Sequence, residues 1–196
     1  KVISLVTIPL LIGNLFQQCN NRADTLIVGR TLGVEALAAV GGTGGRMFFI
    51  LGFVIVFTAG LAIITAQRFG AGRKRAVRRS FAVCILLSAA ATVLLTAVSV
   101  VFARPVRELL QTPPEILDAA HSYIIIIFWG IGAAMLFTLL SNVIRALGDS
   151  RTPLYFLVLA CVLNIALDLA LILRFGMGPA GAAVATVVSQ LVSGLL

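Results

Sequence analysis

Two acidic residues sit where hydrocarbon would be expected. Asp24 and Asp168 lie inside long apolar runs, ADTLIVG and NIALDLALIL. An ionised carboxylate is costly in a bilayer, so such residues point by default to ion handling. Around the first runs FQQCNNRADTLIVG (16–29), which places Gln17, Gln18, Asn20, Asn21 and Arg22 beside Asp24. Gln17 precedes Asp24 by seven residues and Asn164 precedes Asp168 by four, so each pair shares one face of a helix. Carboxylates, amide carbonyls and a hydroxyl such as that of Thr186 are hard oxygen donors of the kind sodium takes. Two carboxylates in one low-dielectric pocket also resist being ionised together, which suits uptake and release of a proton. The residue types leave the choice between the two ions open.

The elements that carry these residues are membrane spans. The 196 residues are 60% hydrophobic and 11% charged, far from the usual soluble balance of about half apolar and a quarter charged. Mean hydropathy is +1.11. A transmembrane helix needs about 20 mostly apolar residues. Breaks at Gly, Pro and charge give six spans, roughly 2–29, 34–66, 80–103, 117–144, 153–174 and 179–196. Pro9 is expected to bend or interrupt the first. The chain opens on Lys1 and closes on SGLL inside an apolar run, so it is expected to be cropped from a longer protein with its last span cut short. No removable signal peptide is expected, because the first apolar run lacks a small-residue cleavage site.

Basic residues orient the spans. Lys1, Arg68, Arg73, Lys74, Arg75, Arg78, Arg79, Arg145 and Arg151 collect on one side, against Arg30, Arg104, Arg107 and Arg174 on the other. Nine against four places the N-terminus in the cytoplasm, in a plasma (inner) membrane. The net charge of +8 comes in short clusters between apolar runs, a pattern for anionic lipid and not for nucleic acid. On this topology Asp24 lies six residues before Arg30 and Asp168 six before Arg174, each about 9 Å below the outer boundary. Thr186, seven residues after Pro179 in the descending sixth span, falls at nearly the same depth.

Simpler readings stand beside this one. An arginine could neutralise each aspartate, but Arg22 is two residues from Asp24 and Arg174 six from Asp168, both poorly aligned. Gln17, Asn164 and Thr186 could serve helix–helix hydrogen bonding, and Asn20 and Asn21 could only line a wet cavity. GGTGGR (41–46) lacks the Gly-Lys-Ser/Thr of a phosphate loop and reads as helix packing or a flexible lead into the second span. His121 stands alone, Trp129 and Tyr155 read as packing or interfacial aromatics, and Cys19, Cys84 and Cys161 show no disulfide or metal spacing. In ALGDSRTP (146–153), Gly148 ends one helix while Asp149 or Ser150 caps the next.

Several stretches together resemble the multidrug and toxic compound extrusion (MATE) family of efflux transporters. They are Pro9 followed by ADTLIVGRTLGVEALAAVG (23–41), then AQRFGAGR (66–73), NVIRALGDSRTP (142–153) and NIALDLALILRFGMGPAGAAVATVVSQ (164–190). The resemblance implies an all-α membrane protein whose 196 residues form the N-terminal six-helix lobe of a twelve-helix transporter, with the C-terminal lobe as its missing partner. It implies export of small, often cationic, organic substrates in exchange for protons or sodium, with no other cofactor and no enzymatic reaction. In one branch of the family the cation site lies in the N-lobe, on spans one, five and six. By motif its residues correspond to Asp24, Asn164, Asp168, Thr186 and Gln17, and the bending proline to Pro9; sodium, if it is the coupling ion, would take Asp24, Asn164, Asp168 and Thr186. Many relatives carry Tyr-Asn where this chain has Asn20-Asn21, which alters the substrate-facing part of the pocket. Two rival functions remain for comparison. A flippase of related architecture would move lipid-linked oligosaccharide and present a more cationic cavity, for which Arg22 and Arg46 are candidates. An intramembrane aspartyl protease would need a GxGD motif, whereas Gly148-Asp149 follows Ala146 and Leu147.

Overall fold

The computed structural model describes residues 2–42, 44–109, 126 and 130–196. His121, Trp129 and most of 117–129 at the start of the expected fourth span lie outside the described residues. Six helices follow one another among those described: α1 Val2–Gly42, α2 Gly44–Gly70, α3 Lys74–Leu109, α4 Ile131–Ala146, α5 Thr152–Asp168 and α6 Pro179–Leu195. A π-helical segment, Leu169–Arg174, continues α5 before the turn into α6. Helix is the necessary answer for such a chain, because in lipid each backbone N–H and C=O must find its partner within the segment. The stretches Phe49–Gly70, Lys74–Val98 and Thr152–Arg174, of 22, 25 and 23 residues, are long and apolar enough to cross a bilayer.

The side chains are distributed as a membrane protein requires. Large apolar residues such as Val56, Leu86 and Val93 are about 70% exposed, while Thr58, Thr65, Ser80 and Ser88 are buried. Thr58 satisfies its hydroxyl by donating to the Val54 carbonyl at 2.7 Å, and it accepts a 3.0 Å bond from Asn142 Nδ2 that ties α2 to α4. Apolar clusters flank that bond: Val54, Ile131 and Met135 on one side, and Ala62, Cys84, Leu139 and Val143 on the other.

Pro9 lies inside α1 without interrupting it, since the only residue of α1 outside helical dihedrals is Gly33. Near a helix start the missing proline donor removes a single intrahelical bond. Gly33, at φ 84° and ψ −174°, falls within RTLGVE, where the chain turns from the first apolar run to the second. A residue with a Cβ is strained in that conformation. GGTGGR straddles the end of α1 and the start of α2, with Thr43 itself outside the described residues. Between α4 and α5, Gly148 takes φ 94° and the Asp149 amide closes back on the Ile144 carbonyl at 3.2 Å. Asp149, and not Ser150, supplies the cap: its carboxylate accepts from the backbone of Arg151 and Thr152 at 2.9 and 3.1 Å and from the Thr152 hydroxyl at 2.5 Å. Those donors hold its carboxyl below the ordinary carboxylate range, the Thr152 hydroxyl foremost.

α1 packs on α5 and α6, and this three-helix seam positions the polar residues. The approach is close because small residues line it. A Cβ on Gly13 would come within 3.4 Å of Leu157, and Ala182 of α6, 6% exposed, packs in one cluster with Val28 of α1.

Candidate ion-exchange site

The site is built in layers along α1 and α5. Asn20 and Asp24 are four residues apart on α1, as Asn164 and Asp168 are on α5, so each helix offers an amide and a carboxylate one turn apart on one face. Asn20 Nδ2 donates to Asn164 Oδ1 at 2.9 Å, joining the two amides. Asn164 Nδ2 reaches Thr186 Oγ1 of α6 at 3.4 Å, and that hydroxyl donates to the Ala182 carbonyl at 3.0 Å. One turn along, the carboxyl groups of Asp24 and Asp168 lie close enough to interact directly. A further turn along come Val28, Ile172 and Ala182, four residues from Asp24, Asp168 and Thr186 respectively, packed into one apolar cluster.

Asp168 is fully buried and Asn164 is 2% exposed. Both oxygens of Asp168, Oδ1 of Asp24 and Oδ1 of Asn20 are buried with no hydrogen-bond donor. Four orphaned acceptors on three neighbouring side chains are unusual, because buried polar atoms are nearly always partnered and leaving them bare costs free energy. A proton shared between the carboxylates would satisfy two of them, and a hard cation with oxygen ligands would engage the wider set. The donor set contains oxygen alone, and no group of three His, Cys, Asp or Glu side chains fit for a metal ion occurs among the described residues. Sodium therefore fits this set better than a transition metal.

No arginine neutralises either carboxylate among the described residues: Arg22 and Arg174 are exposed, and the Asp168 oxygens have no partner. Arg22 instead shares with Thr25, Leu26, Gly29 and Arg30 the wall of an open depression of about 530 Å³ on another face of α1. Of the residues expected in the pocket, Asp24, Asp168, Asn164 and Thr186 come together, with Thr186 meeting Asn164 and not a carboxylate. Gln17 is exposed and donates to Asn21 Oδ1 of its own helix at 3.4 Å, so it does not reach the cluster. Asn21 is exposed, whereas Asn20, expected only to line a cavity, makes the bond across to α5. The π-helical turn that begins directly after Asp168 has no signal in composition or periodicity; such wide turns recur at functional sites.

A family model described as MatE matches residues 9–170. Over 200 residues the chain is 31% identical to the probable multidrug resistance protein YoeA of Bacillus subtilis, an alignment covering 100% of this chain and 43% of that protein. It is 31% identical over 201 residues to the FAD transporter of Shewanella oneidensis, covering 98% of this chain and 43% of that one. A solved structure described as the outward-facing conformation of a multidrug resistance MATE family transporter superposes with a TM-score of 0.93 at 27% identity, over 99% of this chain and 43% of its own. The chain thus spans about 43% of the length of the relatives it matches.

Proposed function

This chain belongs to the MATE family, and from that premise we propose that it is the N-terminal lobe of a secondary active exporter that moves small, mostly cationic, organic substrates out of the cell. The coupling ion is a proton or sodium, taken up by Asp24 and Asp168 with Asn164, Thr186 and Asn20 around them. The observation that carries this reading is the fully buried Asp168, whose two oxygens have no donor and whose neighbour is a second carboxylate. Such a pair is satisfied only by taking up positive charge, so ion occupancy alters how strongly α1 is drawn to α5. A ligand shifts a conformational equilibrium only through its different affinity for the two states. Differential binding of this kind is what alternating access between the two lobes requires. On the charge count the N-terminus and the α2–α3 turn face the cytoplasm of a plasma (inner) membrane.

The test uses the full-length transporter in proteoliposomes, with dye efflux driven by an imposed proton or sodium gradient. Asp24→Asn and Asp168→Asn should each abolish gradient-driven efflux while the protein inserts normally. Full activity in either variant would remove the proposed roles. A second reading, an anionic cargo such as a lipid-linked oligosaccharide or a dinucleotide, is favoured by Arg22 and Arg30, which flank the open depression on α1. The same vesicles distinguish the two: Arg22→Glu should leave or improve efflux of a cationic dye if the first reading holds, and should abolish transport if the cargo is anionic.

A further inference from the structure

The α2–α3 turn carries Arg68, Arg73, Lys74, Arg75, Arg78 and Arg79, and no Asp or Glu occurs between Glu35 and Glu108 to neutralise them within these two helices. Charge of this kind orients a membrane protein, but orientation requires neither a fixed guanidinium nor a cavity beneath it. Both are present. Nη1 of Arg68 donates to the Ala76 carbonyl at 3.3 Å and to the Ser80 hydroxyl, which clamps the side chain across the turn. A guanidinium so held at one nitrogen presents its remaining donors in a fixed fork. Arg79 stands exposed beside it.

Below these two arginines a groove of about 240 Å³ runs between α2 and α3, walled by Ile64, Val83 and Leu87. The three apolar residues are between 45% and 47% exposed, so the slot is open along its side. From Arg79 to Leu87 is eight residues, about 12 Å down the helix axis. A paired cationic mouth over an apolar slot, with the slot pointing along the span, matches an amphiphile with an anionic head and an alkyl tail. A free phosphate would use only the mouth and leave the slot unfilled. Basic pockets between spans at the membrane surface are suited to anionic lipid headgroups.

We propose that this groove is a binding site for one anionic phospholipid, its headgroup phosphate held by Arg68 and Arg79 and one acyl chain lying between α2 and α3 along Val83 and Leu87. The site is separate from the carboxylate pocket and does not depend on which cargo the transporter carries.

Native mass spectrometry of the full-length transporter tests it, counting lipids retained after exchange with palmitoyl-oleoyl phosphatidylglycerol, or with phosphatidylcholine bearing the same chains. Two arginines at the headgroup should favour phosphatidylglycerol by roughly thirtyfold. Arg79→Ala should bring its retention down toward that of phosphatidylcholine. Val83→Trp keeps every cation but fills the slot, and should abolish the preferential adduct. Glycerol 3-phosphate at millimolar concentration should fail to displace the lipid. Equal retention of the two lipids by the unaltered protein would overturn the proposal. An undiminished adduct in Val83→Trp, or displacement by glycerol 3-phosphate, would do so as well, since either reduces the site to surface charge.

Discussion

Replacing Asn20 by alanine removes the 2.9 Å bond to Asn164 Oδ1 and with it the polar tie between α1 and α5. Hydrogen bonds between helices in membranes contribute about 0.6 kcal/mol on average and up to about 1.7. Leaving a buried acceptor without a donor costs about 1–3 kcal/mol. Asn164 is 2% exposed and water does not easily replace the lost donor, so the penalty belongs in the overlap of those ranges, about 1–2 kcal/mol. At 1.4 kcal/mol per decade this is about a 5- to 30-fold change. The effect should fall on the ion, because the bond presets the Asn164 amide beneath the carboxylates and Asn20 Oδ1 is itself one of the orphaned acceptors. The half-saturating concentration of the coupling ion, measured by gradient-driven dye efflux from proteoliposomes of the full-length transporter, should rise by that factor in Asn20→Ala. Asn164→Ala should do at least as much, since it also removes the contact with Thr186. The double variant should fall short of the sum of the two single penalties, because the shared bond is lost only once. If the two single penalties add to within about 0.5 kcal/mol, Asn20 acts through something other than Asn164 and the layered arrangement is wrong.

A Cβ at Gly181 would meet Met177 Cβ at 3.2 Å and Leu171 Cβ at 3.3 Å, so Gly181→Val should overpack α6 against the π-helical turn at a cost of about 1–3 kcal/mol, read as a lower unfolding temperature. Val28→Asn places an amide in the apolar cluster next to the carboxylates, and should raise ion leak across vesicles in the absence of substrate; a leak equal to that of the unaltered protein would show that the cluster does not seal the site. Asp149→Ala removes three accepted bonds from the start of α5 and should lower the unfolding temperature at neutral pH. The folded carboxyl titrates below 3.8, so its contribution is complete above that value and is lost as pH falls through the lower folded one. The gap between the two proteins should accordingly close in acid.

Hydropathy and breaks show the six-helix order because each apolar run is long and each turn is marked by Gly, Pro or charge. Depth counting brings Asp24, Asp168 and Thr186 to one level, and helical phase adds Asn164 beside Asp168. Asn20 was legible in principle. Asp168 and Asn164 are four apart on a helix that runs parallel to α1, so the partner of Asn164 should stand four before Asp24, and that residue is Asn20. Gln17 shares a face with Asp24 under a regular helical period but sits two turns away, about 10 Å along the axis. Its amide therefore bonds within α1. The π-helical turn after Asp168 could not be read, because nothing in the composition or periodicity of the LALILR segment sets it apart from an ordinary helical turn.

On the proposed reading, α1 is the helix through which ion binding would act. Most of its surface from Leu11 to Leu26 is exposed, and among the described residues its hold on α5 and α6 includes a short column: the Gly13–Leu157 approach, the Asn20–Asn164 bond, the facing carboxylates and the Val28 cluster. Three of those four contacts are attractive whatever the ion does. The carboxylate layer alone changes sign, repelling when both groups are ionised and attracting when a proton or cation lies between them. If the proposed coupling holds, a helix fastened above and below a layer that switches sign would move at that layer, and the apolar cluster one turn away is the part of the seam such movement would open.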